Sequence, residues 1–405
     1  MWRRALSIPV LAVALWMPLT VAPASGEFCT VDPVPAATLL LPYFEVDLSR
    51  RGNVATLFSI VNLDPAPALA HVVLWTDWAI PTFAFDVYLT GFDVETIDLR
   101  ELFLEGELPG SAGDFDGCVA SDPDDDELER LRRAHTGRET GAGCQAHDHD
   151  DGRARGYVTI DSVNECSLLF PGQSNYFDNG AGVANSSNQL AGEYLLSERR
   201  GRGLAAGSLV AVEAAQSNGT AGYTFYGRYV EGTGIDHREP LGTVWATRYL
   251  DRVAFGKSRR SVDNEVVVWR DTTFSGLEQA YECGEESPPW YPLNETQVVA
   301  FNEQEDAVEI CFPFEEEEGG DLVDPVCAPL ATQRVRIGHG DLDLPFDEGW
   351  IYWNLNHVLG GTGAVSFDGL AQSYVTGLLN VSSLRGEVPA FLLATACEAA
   401  DPLRP

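Results

Sequence analysis

The sequence predicts a mainly β protein of β-sandwich architecture, as one sandwich or two. Three observations carry that expectation. Short runs rich in Val, Ile, Phe, Tyr and Trp recur along the chain, Asn, Asp, Pro and Gly punctuate them, and sustained helical periodicity is scarce. The first block extends from Ala37 to Phe103. Leu39, Leu41 and Tyr43 open it, followed by runs at Val54 to Val61, His71 to Trp75, Phe85 to Leu89 and Val94 to Leu99. Phe85 to Leu89 alternates apolar side chains with Asp86 and Tyr88, the period of a half-buried strand.

Leu104 to Arg155 breaks this rhythm with Gly106, Gly110, Gly113, Gly117 and acids at Asp122 and Asp124 to Glu127. It is expected to be a long surface excursion. Within it, Glu127 to Ala134 offers one or two helical turns with Leu128 and Leu131 facing inward. Strand signals resume at Tyr157 to Asp161, Leu209 to Ala214 and Tyr223 to Val230, with a loop rich in Asn, Gly and Ser at Asn175 to Asn188. Leu241, Val244, Trp245, Tyr249 and Val253 fall near helical spacing, so Pro240 to Ala254 is expected as the one helix of any size, with Pro240 at its first turn. Val266 to Trp269, Val298 to Phe301, Val308 to Phe312, Val335 to Ile337, Trp350 to Leu355, Tyr374 to Leu378 and Phe391 to Ala394 complete the strands. Trp350 and Trp353 fall on opposite faces of one strand, which places at least one of them in the core.

Residues 1–24 have the form of a secretory signal peptide. Arg3 and Arg4 supply the positive start, Ala5 to Val21 are mostly apolar, and Ala22, Pro23 and Ala24 offer a small-residue cleavage site. The expected compartment is therefore periplasmic or extracellular, with no membrane insertion once the leader is removed. The remainder divides into a main β-rich domain at 27–287, carrying the loop insertion at 104–155, and a C-terminal β-rich segment at 288–405. Cys283 and the prolines from Pro288 to Pro292 mark the break.

Eight cysteines lie beyond the leader, an even number that an oxidising compartment would join as four disulfides. Cys118 with Cys144 would close the excursion, Cys29 with Cys397 would tie the termini, and Cys311 with Cys327 would close a short acidic loop. Cys166 and Cys283 are then left for each other. Charge constrains the partners. With the leader gone, 24 basic residues face 61 acidic ones, a net charge of 37 negative. Such a field repels phosphate backbones and anionic lipid, so nucleic acid is excluded as a partner and an extracellular ligand or cell-surface component is expected.

Several segments resemble a known group. They are Thr38-Leu39-Leu40-Leu41-Pro42-Tyr43-Phe44-Glu45-Val46, Leu74-Trp75-Thr76-Asp77-Trp78, Phe85-Asp86-Val87-Tyr88-Leu89-Thr90-Gly91 and Asp98-Leu99-Arg100, then Ala221-Gly222-Tyr223-Thr224-Phe225-Tyr226-Gly227-Arg228-Tyr229, Arg238-Glu239-Pro240-Leu241, Trp269-Arg270-Asp271 and Trp290-Tyr291-Pro292-Leu293. Together they resemble a family of secreted bacterial proteins of unknown function, over most of the chain outside 104–155. The resemblance implies an exported bacterial protein and transfers no functional residue.

Candidate chemistry centres on Cys144-Gln145-Ala146-His147-Asp148-His149-Asp150-Asp151. In an extended segment His147 and His149 would point the same way, and with Asp148 and Asp150 they suit zinc or copper, while the carboxylates alone suit calcium. A solvated loop tip accounts for the same residues. Asp341 and Asp343, with Asp347 and Glu348 beside His339, form a second acidic group, but Pro345 and Phe346 stand where a calcium loop of the EF-hand type needs glycine and oxygen ligands. Asp114, Asp116, Asp122 and Asp124 are comparable. Ser174 in Gly172-Gln173-Ser174-Asn175-Tyr176 lacks the second glycine of a nucleophile elbow, and the chain contains no HExxH, no CxxC and no phosphate-binding loop. Trp75, Trp78, Trp269, Trp290, Trp350 and Trp353 are candidates for a sugar-stacking platform or for core. No cofactor is predicted, and calcium is the one candidate ion. The expectation is a binding or structural protein rather than an enzyme. An exported polysaccharide hydrolase with paired carboxylates, or a calcium-stabilised adhesive module, are the alternatives.

Overall fold

The computed structural model describes residues 34–49, 53–110, 118, 122–138, 148–177, 181–198, 203–214, 224–227, 229, 236–250, 252–255, 258–272, 297–310, 330–337, 344–355, 371–381 and 384–395. These residues form a mainly β protein with β-sandwich architecture. The N-terminal part contains β1 (Thr38–Asp47), β2 (Val54–Asn62), β3 (Ala68–Trp75), β4 (Pro81–Leu89), β5 (Val94–Asp98), α1 (Leu99–Glu105), α2 (Asp125–Thr136), β6 (Arg153–Val163), β7 (Leu190–Glu198), β8 (Gly203–Ser208) and β9 (Val210–Val212). They make a sheet ordered β4-β3-β6-β1-β9 and a second ordered β5-β2-β7-β8. Leu39, Phe44, Val72 and Val158 from the first sheet pack with Phe58, Ile60 and Tyr194 from the second, and Phe103 and Leu131 of the helices join the same core.

Strand burial follows from what covers each face. β2 alternates buried and half-buried residues, because only one side of its sheet meets the core. β1 and β3 are buried along nearly their whole length. Their sheet is covered on the far side too, where Leu40, Val73, Trp75 and Tyr157 pack against Tyr176, Phe177, Phe225 and Trp269. Pro42, with no N–H to donate, falls where the β1–β6 register shifts between Leu41 and Phe44. Opposite that irregularity sits Gly156, whose hydrogen faces the Trp75 carbonyl. A Cβ there would stand 1.9 Å from the Trp75 oxygen, so Gly156→Ala is expected to cost about 3 kcal/mol or more, read as a lower urea midpoint.

Both helices are set by their ends. Asp98 caps α1 by accepting the Arg100 N–H at 2.8 Å, and Gly106 closes it in the left-handed conformation. Asp124 and Glu127 form a capping box at the start of α2. Leu128 and Leu131 of α2 are buried as the spacing predicts, although the helix is longer than one or two turns.

The C-terminal part contains β10 (Gly242–Leu250), β11 (Arg252–Phe255), β12 (Ser258–Ser261), β13 (Asp263–Thr272), β14 (Gln297–Phe301), β15 (Ala307–Ile310), β16 (Thr332–Ile337), β17 (Glu348–Asn354), β18 (Ala371–Val381), β19 (Leu384–Pro389) and β20 (Phe391–Thr395). Sheets ordered β15-β14-β17-β10-β20 and β16-β13-β18-β19 enclose a second core of Trp245, Val298, Ile351 and Trp353 against Val266, Val268, Val335 and Val375, while β11 and β12 pair as a hairpin. β10 and β13 precede Pro288, yet their partners β16, β17, β18 and β20 all follow it. Among the described residues no helix is long and apolar enough to cross a membrane.

Three sequence expectations are corrected. Pro240 to Ala254 is not helical but supplies β10 and most of β11. Its inward residues are Trp245, Thr247 and Tyr249, and Thr247 disguises the alternation because its hydroxyl is buried to accept the Trp353 indole N–H at 2.6 Å. In Tyr223 to Val230 the described residues form turns, closed by Gly227 N–H to Thr224 O at 3.0 Å and Tyr229 N–H to Tyr226 O at 2.8 Å. Phe225 and Tyr226 are adjacent and both buried, capping the β1–β3–β6 face.

The third correction is covalent. Cys118 is bonded to Cys166, with Cα atoms 5.3 Å apart, which overturns both the Cys118–Cys144 and the Cys166–Cys283 pairings. The excursion is fastened to the segment leaving β6 rather than closed on itself, and both cysteines pack in the cluster with Val73 and Ala84. Cys29, Cys144, Cys283, Cys311, Cys327 and Cys397 lie outside the described residues.

Candidate functional site

Alternate residues of β1 face away from the first core, and two polar ones, Thr38 and Glu45, each enter a buried charged network. The first centres on Asp161 of β6, which pairs in register with Thr38. Its Oδ1 accepts the Thr38 hydroxyl, and its Oδ2 accepts the hydroxyls of Tyr176 and, at 2.8 Å, Tyr226. Arg238 Nε lies 3.4 Å from Asp161 Oδ1, and its other nitrogens donate to the carbonyls of Asp236 at 3.2 Å and Asn185 at 3.0 Å. The guanidinium also lies 5.9 Å and 5.8 Å from the ring centres of Phe177 and Tyr226.

Electrostatics in this cluster follow from burial. It pushes the Tyr176 and Tyr226 hydroxyls well above their ordinary range, which keeps both as proton donors to Asp161. Burial likewise raises the Asp236 carboxyl to about 6 against the pull of Arg238. Asp236 is 3% exposed, and its two oxygens accept the Tyr226 and Arg238 backbone N–H groups, each at 3.3 Å. The arrangement ties two loops to the sheet.

The second network gathers three arginines on Glu45, which is 1% exposed. Arg153 and Arg155 reach Glu45 Oε1 from β6, Arg334 reaches Oε2 from β16 at 3.2 Å, and the Tyr43 hydroxyl donates to Oε2 at 3.1 Å. Arg334 also lies 3.9 Å from Glu198 of β7 and 3.9 Å from Glu265 of β13. Burial alone would raise the Glu45 carboxyl, but Arg334, Arg155 and Arg153 override it and bring it to about 2. One carboxylate thus joins strands of both sandwiches.

Three of the described histidines occupy distinct settings. His135 of α2 is buried against Phe44 and Phe103, and burial lowers it to about 4. Its Nδ1–H donates to the Arg155 carbonyl at 2.8 Å, leaving Nε2 to accept from the Thr82 hydroxyl at 2.7 Å. Because its folded value lies below the unfolded 6.5, its contribution of about 3 kcal/mol is complete above pH 6.5 and lost as pH falls through 4. An NMR titration of this ring is expected to remain flat from pH 8 to 5, and a midpoint near 6.5 would contradict the assignment. His71 is held between two oxygens, Asp86 Oδ1 at 2.7 Å from Nδ1 and the Leu169 carbonyl at 2.9 Å from Nε2.

His149 is the third, and among the described metal candidates it is the one that reaches a buried carboxylate. Its Nε2 lies 3.3 Å from the buried Asp77 Oδ2, while the Asp77 carbonyl accepts the Ala331 N–H at 2.8 Å. Asp148 and Asp150 stay at the exposed tip, where Asp148 Oδ1 accepts the Asp150 N–H at 2.8 Å. His147, Asp341 and Asp343 lie outside the described residues. Among the described residues, Asp86, Cys118 and Cys166 form the one group of three side chains within ligating reach of each other. There the cysteines are bonded together, and Asp86 is committed to His71 and to the Ser167 N–H.

The sequence gives partial warning of these networks. Glu45 and Asp161 are acids inside strongly apolar strands, a pattern that marks a buried charge needing a partner. Arg238 and Arg334 carry no such signal, since arginine in a turn or near a strand end is ordinary. Large apolar side chains reach solvent at Leu63, Phe92, Val94, Leu168 and Trp350. No protein-family model matches the chain, and neither a curated protein nor a solved structure matches it.

Proposed function

We propose that the protein is exported and acts by binding at the cell exterior, or as a structural component there, rather than by turning over a substrate. The observation that supports this reading is the state of Asp236. A polysaccharide hydrolase needs a carboxylic acid held protonated near neutrality in a cleft that admits substrate. Asp236 has the raised value, but it is sealed from solvent and both its oxygens are bonded to backbone. The charged clusters are used to fasten strands, loops and the two sandwiches, as a rigid scaffold for surface recognition requires.

The test incubates the purified protein with bacterial cell envelopes and with a panel of polysaccharides. Retention on envelopes without release of reducing ends is the expected result. Release of reducing ends that disappears in a carboxylate variant would replace this reading with the hydrolase.

A further inference from the structure

The sheet containing β14, β17 and β10 has one face on the second core and one toward solvent. On the outer face, register aligns Arg248, Trp350 and Phe301 in one row, with Tyr352 in the next and Asn354 beside Gln297 in a third. Trp353 fills the core, whereas Trp350 is 41% exposed. The indole does not hang free. Its ring is stacked on Phe301, with centroids 4.4 Å apart and planes 13° from parallel, so it is held in place before any ligand arrives.

Resting on the proposed binding role, we infer that this face binds neutral polysaccharide, with Trp350 as its anchor. Sugar rings offer a C–H face that packs on an aromatic surface and a rim of hydroxyls that both donate and accept. The aromatic side chains supply the first requirement, and the amides of Asn354 and Gln297 with the exposed Arg248 guanidinium supply the second. Size points the same way. Three strands and four residues of length span roughly 10 Å by 14 Å, or about 140 Å². A stable protein partner needs about 800 Å² on each side. Charge selects the type of glycan, because a net charge of 37 negative in the leaderless chain repels polyanions.

The experiment is affinity electrophoresis of the full chain through gels containing soluble glucan, xylan or mannan, with polygalacturonate as the polyanionic arm. Trp350→Ala changes an exposed position, and an unchanged melting temperature verifies that it folds. At least one neutral glycan is expected to retard the wild type, with an affinity loss of about tenfold in Trp350→Ala and a smaller loss in Tyr352→Ala. Equal retardation of wild type and Trp350→Ala overturns the inference, as does retardation by polygalacturonate alone or by no glycan. If envelopes still retain the protein when the glycans fail, this inference falls and the broader binding role stands. If that retention is lost after protease treatment of the envelopes, the partner is a protein, and the inference falls likewise. Failure on both envelopes and glycans removes both.

Discussion

Glu45→Gln is expected to destabilise the protein by about 3 to 5 kcal/mol at pH 7, the range for removing one partner from a buried ion pair. The variant leaves Arg153, Arg155 and Arg334 without the anion on which they converge. Arg334 suffers most. Its remaining acids, Glu198 and Glu265, are each 3.9 Å away. The pH dependence gives a second check. Glu45 is brought to about 2 in the folded protein from an ordinary 4.5, so its contribution is complete above pH 4.5 and is lost as pH falls toward 2. Urea unfolding at a series of pH values should therefore show a gap between wild type and variant that closes across that window. A gap independent of pH would mean that the side chain contributes by packing and not by charge.

Asp161→Ala is expected to cost a similar 3 to 5 kcal/mol, roughly, because it strands a buried cation and three buried hydroxyls together. Arg238 would keep its bonds to the Asp236 and Asn185 carbonyls but lose its paired carboxylate, and Thr38, Tyr176 and Tyr226 would lose their common acceptor. Tyr226→Phe offers the contrast. It removes one donor from a carboxylate that retains Tyr176, Thr38 and Arg238, so about 1 kcal/mol is expected. The ordering of these two variants in urea is the measurement that matters. If Tyr226→Phe proved as damaging as Asp161→Ala, the capping turn rather than the carboxylate would be the centre of the cluster.

What the sequence reveals depends on how many faces of an element are covered. β2 was legible because core on one side leaves half-buried polar residues on the other, whereas β4 alternates in sequence although both its faces are covered and Asp86 is buried against His71. β7 gives little signal, since Ala191, Gly192 and Glu193 are poor strand formers and its place is fixed by pairing with β2 and β8. β10 imitates a helix because the buried Thr247 answers to Trp353, a partner more than a hundred residues away. α1 was not expected from the sequence, since its Leu and Phe fit a strand equally well and the cap residues Asp98 and Gly106 are its one local signal. The site was less legible than the fold. Glu45 and Asp161 could be flagged as acids in apolar strands, but their arginines are brought from other elements by tertiary pairing, which spacing does not encode.

The strand order of the second sandwich also bears on how the chain assembles as it is made. All strands of the first two sheets have emerged once Val212 is out. β10 and β13 come next, but each is an interior strand whose flanking neighbours are synthesised far later. β10 waits for β20, the last strand of the series, before its second edge is covered. In the interval both present open edges that invite pairing with other chains, and contacts so distant in sequence form slowly. The first sandwich is thus ready early as a folded template, with Glu45 already in β1. The seam closes only when Arg334 arrives.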